Sequence, residues 1–185
     1  MLLFFIINNL RGNDMKNCLI VIDMQNDFIT GSLGSKEAVA IVPRVKERIE
    51  KAIKDGEDIY FTKDTHYDNY MDTKEGEFLP VEHCKEGTPG HDICDELKPF
   101  EKNAKEIFIK NTFGYKDFPK YLADYDKIAI VGLCTDICVV SNAMLIKTFY
   151  PEKNIIVEKD LCAGSSVENH DATLKVLKAC HIVVS

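Results

Sequence analysis

Apolar residues gather in six short runs along this chain: Cys18 to Ile22, Asp58 to Thr62, Glu106 to Ile109, Lys127 to Val131, Asn154 to Val157 and His181 to Val184. Runs of this length with few internal charges read as strands buried on both faces. Between most of them the spacing changes. From Val42 to Ile53, apolar side chains recur at Val42, Val45, Ile49, Ala52 and Ile53, with Lys, Arg and Glu between them, which predicts a helix with one buried stripe. Asp136 to Phe149 and Glu168 to Cys180 predict two more helices, and Asp117 to Tyr125 a shorter one. Pro43 falls near the expected start of the first long helix, where its missing N–H is harmless, and Gly56 lies just past its end as a cap would. Alternating strands and helices predict an α/β fold, a three-layer sandwich around a mainly parallel sheet of about six strands.

The stretch from Thr65 to Glu101 breaks the alternation. It is rich in Gly, Pro, Asp and Glu and has little periodicity. Long irregular insertions in compact α/β domains usually serve function.

Bulk properties narrow the class. A chain of 185 residues with 45% hydrophobic and 29% charged residues has an ordinary globular composition and room for one sizeable core. A net charge of -7 with no basic patch argues against a nucleic-acid partner. No apolar run approaches the roughly 20 residues that cross a bilayer, so no membrane partner is expected. The opening MLLFFIINNL has neither a basic flank nor a cleavage site, so it does not read as a signal peptide. Met15 reads as the natural start, because MKNCLIVIDMQ runs directly into the first strand. A single domain is expected over 16–185, with 1–15 an N-terminal extension. Seven cysteines without CxxC spacing suggest free thiols in a cytoplasmic protein.

In parallel sheets, ligands bind beyond the carboxyl ends of the strands. The first strand leads to Asp23 (IDMQNDF), the second to Asp64 (FTKDTH), the third to Lys110 (IFIKNTFG) and the fourth, through a Gly-containing turn, to Cys138 (VGLCTDICVV). Cys138 falls in the expected first turn of a helix, where unpaired N–H groups favour a thiolate. Cysteine, carboxylate and ammonium together suit acyl transfer: sulfur attacks a carbonyl, the carboxylate handles the proton and the ammonium holds the anions in place. Each also has a plain reading, Cys138 as packing, Asp23 as a turn cap and Lys110 as a solvated strand end. Phe28 and Phe113, each just beyond a candidate, suit the walls of a flat substrate pocket or the core.

A second constellation is Asp64-x-His66 followed by His83 in VEHCKEGTPG. Two imidazoles and a carboxylate form the ligand set of a Lewis-acid centre with open positions, although isolated histidines are often surface residues. Glu75 or Glu77 offers a further oxygen. Cys84 reads as packing, His91 and His170 as solvated or structural. Cys134 and Cys138 lack the spacing of a thioredoxin-type redox pair.

Together, DMQNDF, the DxH, HCxxGTPG, the strand-end lysine and GLCTDICV resemble the isochorismatase-like cysteine hydrolases, and within them the nicotinamidase/pyrazinamidase group. The resemblance runs from about Lys16 to the C-terminus. It implies that Cys138 is the nucleophile, Asp23 the general acid–base and Lys110 the third triad member. Asp64, His66 and His83 would be the ligands of a divalent metal, zinc with iron or manganese as alternatives. It further implies a cis Leu133–Cys134 bond, with the N–H groups of Cys134 and Cys138 as oxyanion hole. The implied reaction is thioester-mediated hydrolysis of nicotinamide to the acid and ammonia in pyridine nucleotide salvage, by a homo-oligomer. One departure stands out: where many nicotinamidases carry tryptophan, this chain has Thr65 and Val81–Glu82, and no tryptophan anywhere. A different small amide, carbamoyl or vinyl-ether compound is therefore the alternative substrate.

Overall fold

The computed structural model describes residues 15–185, so the reading of 1–15 as an extension, Met15 apart, lies outside the described residues. Six strands form one sheet: β1 (Asn17–Ile22), β2 (Asp58–Asp64), β3 (Ala104–Lys110), β4 (Lys127–Leu133), β5 (Asn154–Ala163) and β6 (Val183–Val184). Their order is β3-β2-β1-β4-β5-β6, and every neighbouring pair is parallel. The chain winds outward from β1 through β2 to β3, then crosses back to lay β4 on the other side of β1. The winding therefore reverses between β1 and β4, which is where open parallel sheets hold their ligands.

Successive side chains of a strand face opposite ways, and β1 shows both cores. Leu19 and Val21 join the cluster under the long helix Lys36–Asp55, with Ile41, Val42, Val45 and Ile49 from that helix. Cys18, Ile20 and Ile22 join the opposite cluster, with Ala143, Ile146, Leu174 and Leu177 from the helices Val140–Phe149 and Val167–Ala179. Burying each large aliphatic side chain contributes about 1.5–3 kcal/mol, so both layers are needed to hold the sheet.

Several boundaries differ from those expected. The first long helix begins earlier, because the Ser35 hydroxyl caps it by accepting from the Ala38 N–H at 3.0 Å. Pro43 therefore lies inside the helix, not near its start. Its missing N–H forfeits one bond, at a half-exposed turn where water can serve the orphaned carbonyl. Gly56 caps the other end with φ 71°. Strand β5 continues past Val157 although Glu158, Lys159 and Asp160 interrupt its apolar run, since pairing with β4 resumes at Gly132 and Leu133. The span 117–125 holds only the short helix Phe118–Tyr121. The irregular stretch contains the short helix Lys74–Phe78 and three 3-10 turns.

Gly132 sits at the reversal. Its φ is 116°, and an added Cβ would lie 2.1 Å from the Ile22 carbonyl oxygen of β1. Only glycine lets the two strands meet this closely.

Candidate active site

Four strand ends bring their polar residues together. Lys110, the last residue of β3, places Nζ 2.7 Å from Asp23 Oδ2, 3.4 Å from Asp64 Oδ1 and 3.5 Å from Cys138 Sγ. All four residues are buried. Asp23 follows β1 with φ 48°, a left-handed conformation that Asp tolerates better than most residues. Thr62 of β2 fixes it, donating its hydroxyl to Oδ1 at 2.6 Å and accepting the Asp23 N–H at 3.1 Å. Oδ2 faces the Lys110 ammonium as a buried ion pair.

Burial lowers the tendency of Lys110 to hold its proton, but Asp23, Cys138 and Asp64 more than reverse this and keep it an ammonium. Burial raises the Asp23 carboxyl above its ordinary range, against the pull of Lys110. For Cys138 the surroundings work against the expected thiolate. Burial pushes the thiol well up, Asp23 pushes it further, and Lys110 offsets only part. Cys138 is in no ordinary first helical turn: it is buried within a π-helical turn, Thr135–Val139, at the cavity floor.

That turn has a second consequence. The Cys134 carbonyl accepts the N–H groups of Ile137 at 3.0 Å and Val139 at 3.1 Å, passing over that of Cys138 between them. The Leu133–Cys134 peptide bond that precedes it is cis, as the resemblance implied.

Beside the cysteine, Asp64, His66, Glu75 and His83 each offer a ligand atom, and these atoms lie within 4.8 Å of one another. His66 Nε2 is 3.0 Å from Asp64 Oδ2 and 3.7 Å from Glu75 Oε1; His83 Nε2 is 3.6 and 3.7 Å from the same oxygens. His83 Nδ1 lies 2.8 Å from the Val81 carbonyl, which can only accept, so the proton sits on Nδ1 and the Nε2 lone pair faces the cluster. Burial would raise the Asp64 carboxyl, but the imidazoles and Lys110 hold it well below the usual range. Three carboxylates, Asp23, Asp64 and Glu75, thus share one buried ammonium. A divalent cation would balance that excess, and imidazole with carboxylate suits zinc, iron or manganese. Of the two glutamates left open, Glu75 joins the cluster, whereas Glu77 is exposed and paired with Lys74 at 2.6 Å.

A cavity of about 680 Å³ opens onto this floor. Phe28 and Phe113 both line it, Phe28 with its ring 5.5 Å from that of His83. Thr65 does not. Its hydroxyl is 2.8 Å from His91 Nε2, which makes His91 a buried structural residue. His170 is structural too, with Nδ1 2.8 Å from the Thr135 hydroxyl. Cys84 is buried in the core, as read.

Sequence reasoning missed four supporting residues. Thr62 holds Asp23. Gln25 clamps the backbone of the metal loop, accepting the Asp64 N–H at 2.7 Å and donating to the carbonyls of Asp64 and His91 at 2.8 and 2.9 Å. Asn142 donates to the Cys138 carbonyl at 2.8 Å and accepts the Tyr115 N–H at 2.8 Å, tying the turn that bears Cys138 to the Phe113 loop. Tyr70 packs edge-on against both His66 and His83. A buried amide or hydroxyl inside an apolar pattern was the available signal, at Thr62 in IYFTK and Asn142 in VVSNAM.

Comparison with known proteins points the same way. The sequence model of the Isochorismatase domain matches residues 17–185. The nicotinamidase/pyrazinamidase of Mycobacterium tuberculosis is 27% identical over 182 residues, covering 89% of this chain and 95% of that protein. Among solved structures, the nicotinamidase/pyrazinamidase of Bacillus subtilis superposes with a TM-score of 0.80 at 25% identity, over 92% of this chain and 100% of the other. The pyrazinamidase of Pyrococcus horikoshii in complex with zinc gives 0.77 at 26%, over 92% and 98%.

Proposed function

Since this chain belongs to the isochorismatase family, we propose that it is a metal-assisted cysteine amidohydrolase. It hydrolyses nicotinamide, or a similar small carboxamide, to the acid and ammonia through a thioester. One observation carries the reading: a single buried ammonium, Lys110, touches a carboxylate and a thiol from two other strand ends, beside four convergent metal-type ligands.

Asp23 takes the Cys138 proton. Because burial keeps the thiol protonated at rest, that transfer accompanies attack on the carbonyl and does not precede it. The N–H groups of Cys134 and Cys138 receive the developing oxyanion, each donor contributing on the order of 3 kcal/mol. Asp23 then protonates the departing ammonia, and later draws a proton from the water that cleaves the thioester. Lys110 stays charged throughout and holds Asp23 in line. Phe28 and Phe113 sandwich the substrate. Asp64, His66, His83 and Glu75 would hold the divalent metal, zinc first among the candidates, which when bound supplies a Lewis acid to anchor and orient the amide.

Pyridine nucleotide salvage in the cytoplasm is the corresponding role. Ammonia release from nicotinamide by metal-loaded protein, against a panel of small amides and a Cys138→Ala control, tests the proposal. Absence of turnover on every amide would end it. A second reading keeps the machinery and changes the substrate to another small amide or carbamoyl compound; the apolar cavity walls favour it.

A further inference from the structure

The cavity is larger and more one-sided than a single-ring amide requires. Its volume, about 680 Å³, lies in the range of pockets that enclose drug-sized ligands, roughly 300–1,000 Å³. Cys138, Asp64, His83 and Glu75 line it where the candidate site lies. Leu33, Phe78, Leu79, Phe113 and Ile137 supply most of its apolar wall, with the polar side chains of Asn111, Thr112 and Ser165 among them. Two of these leave much of an aromatic ring in solvent, Phe78 at 86% exposed and Phe113 at 45%. Single exposed apolar side chains need no explanation, but several lining one cavity mark a ligand surface. Phe78 is also mechanically joined to the metal end. It stands three residues after Glu75 on the helix Lys74–Phe78, so the two side chains share a face. The one cation in the wall, Lys74, stands in solvent and is paired with Glu77 at 2.6 Å.

We infer that the preferred substrate is a carboxamide bearing a second, neutral apolar group, aryl or branched alkyl, which lies against Phe78, Phe113 and Ile137 while the amide carbon reaches Cys138. This deepens the amidase reading and rests on it. The overall reaction is unchanged: the C–N bond breaks, and water supplies the hydroxyl of the acid and a hydrogen of ammonia.

The test compares kcat/KM for nicotinamide, for phenylnicotinamides substituted at each free ring carbon, and for a carboxymethyl analogue, by ammonia release from metal-loaded protein. At least one phenyl derivative should exceed nicotinamide by about tenfold, chiefly through KM, since filling an apolar subsite is worth that much. The carboxymethyl analogue should show no such gain. In Phe78→Ala the ratio of phenyl to parent kcat/KM should fall to about one; thermal melting checks that this surface variant is folded. Nicotinamide outperforming every phenyl derivative, or a ratio unmoved in Phe78→Ala, overturns the apolar extension while leaving the amidase standing. Silence on all substrates overturns the amidase itself, and this inference with it.

Discussion

An aspartate–lysine pair lies at each end of the sheet, and the two pairs have opposite characters. At the amino end, Lys105 Nζ lies 2.7 Å from Asp58 Oδ2, with the side chains 47% and 32% exposed. Tyr125 donates to the same carboxylate, its oxygen is 2.8 Å from the Tyr60 hydroxyl, and Lys16 stands 3.7 Å from Asp58. Every charge there has partners and water. At the carboxyl end, Lys110 meets Asp23 at the same 2.7 Å, yet both side chains are sealed. The thiol and Asp64 crowd the same ammonium. Identical residue types at similar separations make a staple in one place and, in the function proposed, reactive machinery in the other. Dehydration and crowding around one charge make the difference.

That contrast can be broken at four points. Cys138→Ala should abolish amide turnover by at least about four orders of magnitude while the melting temperature moves little, because the lost group makes chemistry and few contacts. Next comes a matched pair of charge deletions followed by chemical denaturation. Lys110→Met leaves two buried carboxylates uncompensated and should cost about 3–5 kcal/mol. Lys105→Met should cost under about 1 kcal/mol; equal losses would erase the distinction. A third probe is metal linkage. Zinc held at 100 times its dissociation constant should raise stability by about 2.7 kcal/mol, a gain absent in His83→Ala and unaffected by Lys105→Met. The smallest effect concerns acid. Burial opposes ionisation of Asp58, but hydrogen bonds from Lys105 and Tyr125 leave its carboxyl below the ordinary value. A lowered folded value means its stabilisation is complete above the unfolded value, near pH 4, and fades as pH falls through the folded one. Denaturation midpoints of Asp58→Asn should therefore decline less steeply than wild type below about pH 4, by under 1 kcal/mol given solvent screening.

Most of the sheet was legible because buried parallel strands advertise themselves as apolar runs, and the strand-end rule then pointed to Asp23, Asp64, Lys110 and Cys138 before any coordinates. Glu75 against Glu77 was not decidable, since the choice depends on which face of a short helix turns inward. Strand β5 was cut short because three charged residues mask a pairing that only β4 can reveal. The surroundings of the Cys138 thiol were hidden for a related reason. Local position suggested a helix end, whereas the deciding quantity, exclusion of water by neighbours distant in sequence, has no linear signature. The Gln25 and Asn142 clamps were hidden likewise: a polar residue in an apolar stretch signals importance without naming its partner.

The hydrogen atom that serves as the side chain of Gly132 governs how near the two groups proposed to react can come. Asp23 leaves the sheet one residue after Ile22, and the turn bearing Cys138 begins two residues after Leu133, so the carboxylate and the sulfur are launched from adjacent rails whose gauge is set at that contact. A single methyl there would wedge the rails apart, and displacements of about 1 Å between reacting atoms can cost a hundredfold in rate. The most consequential side chain for aligning this chemistry is thus one that is not there.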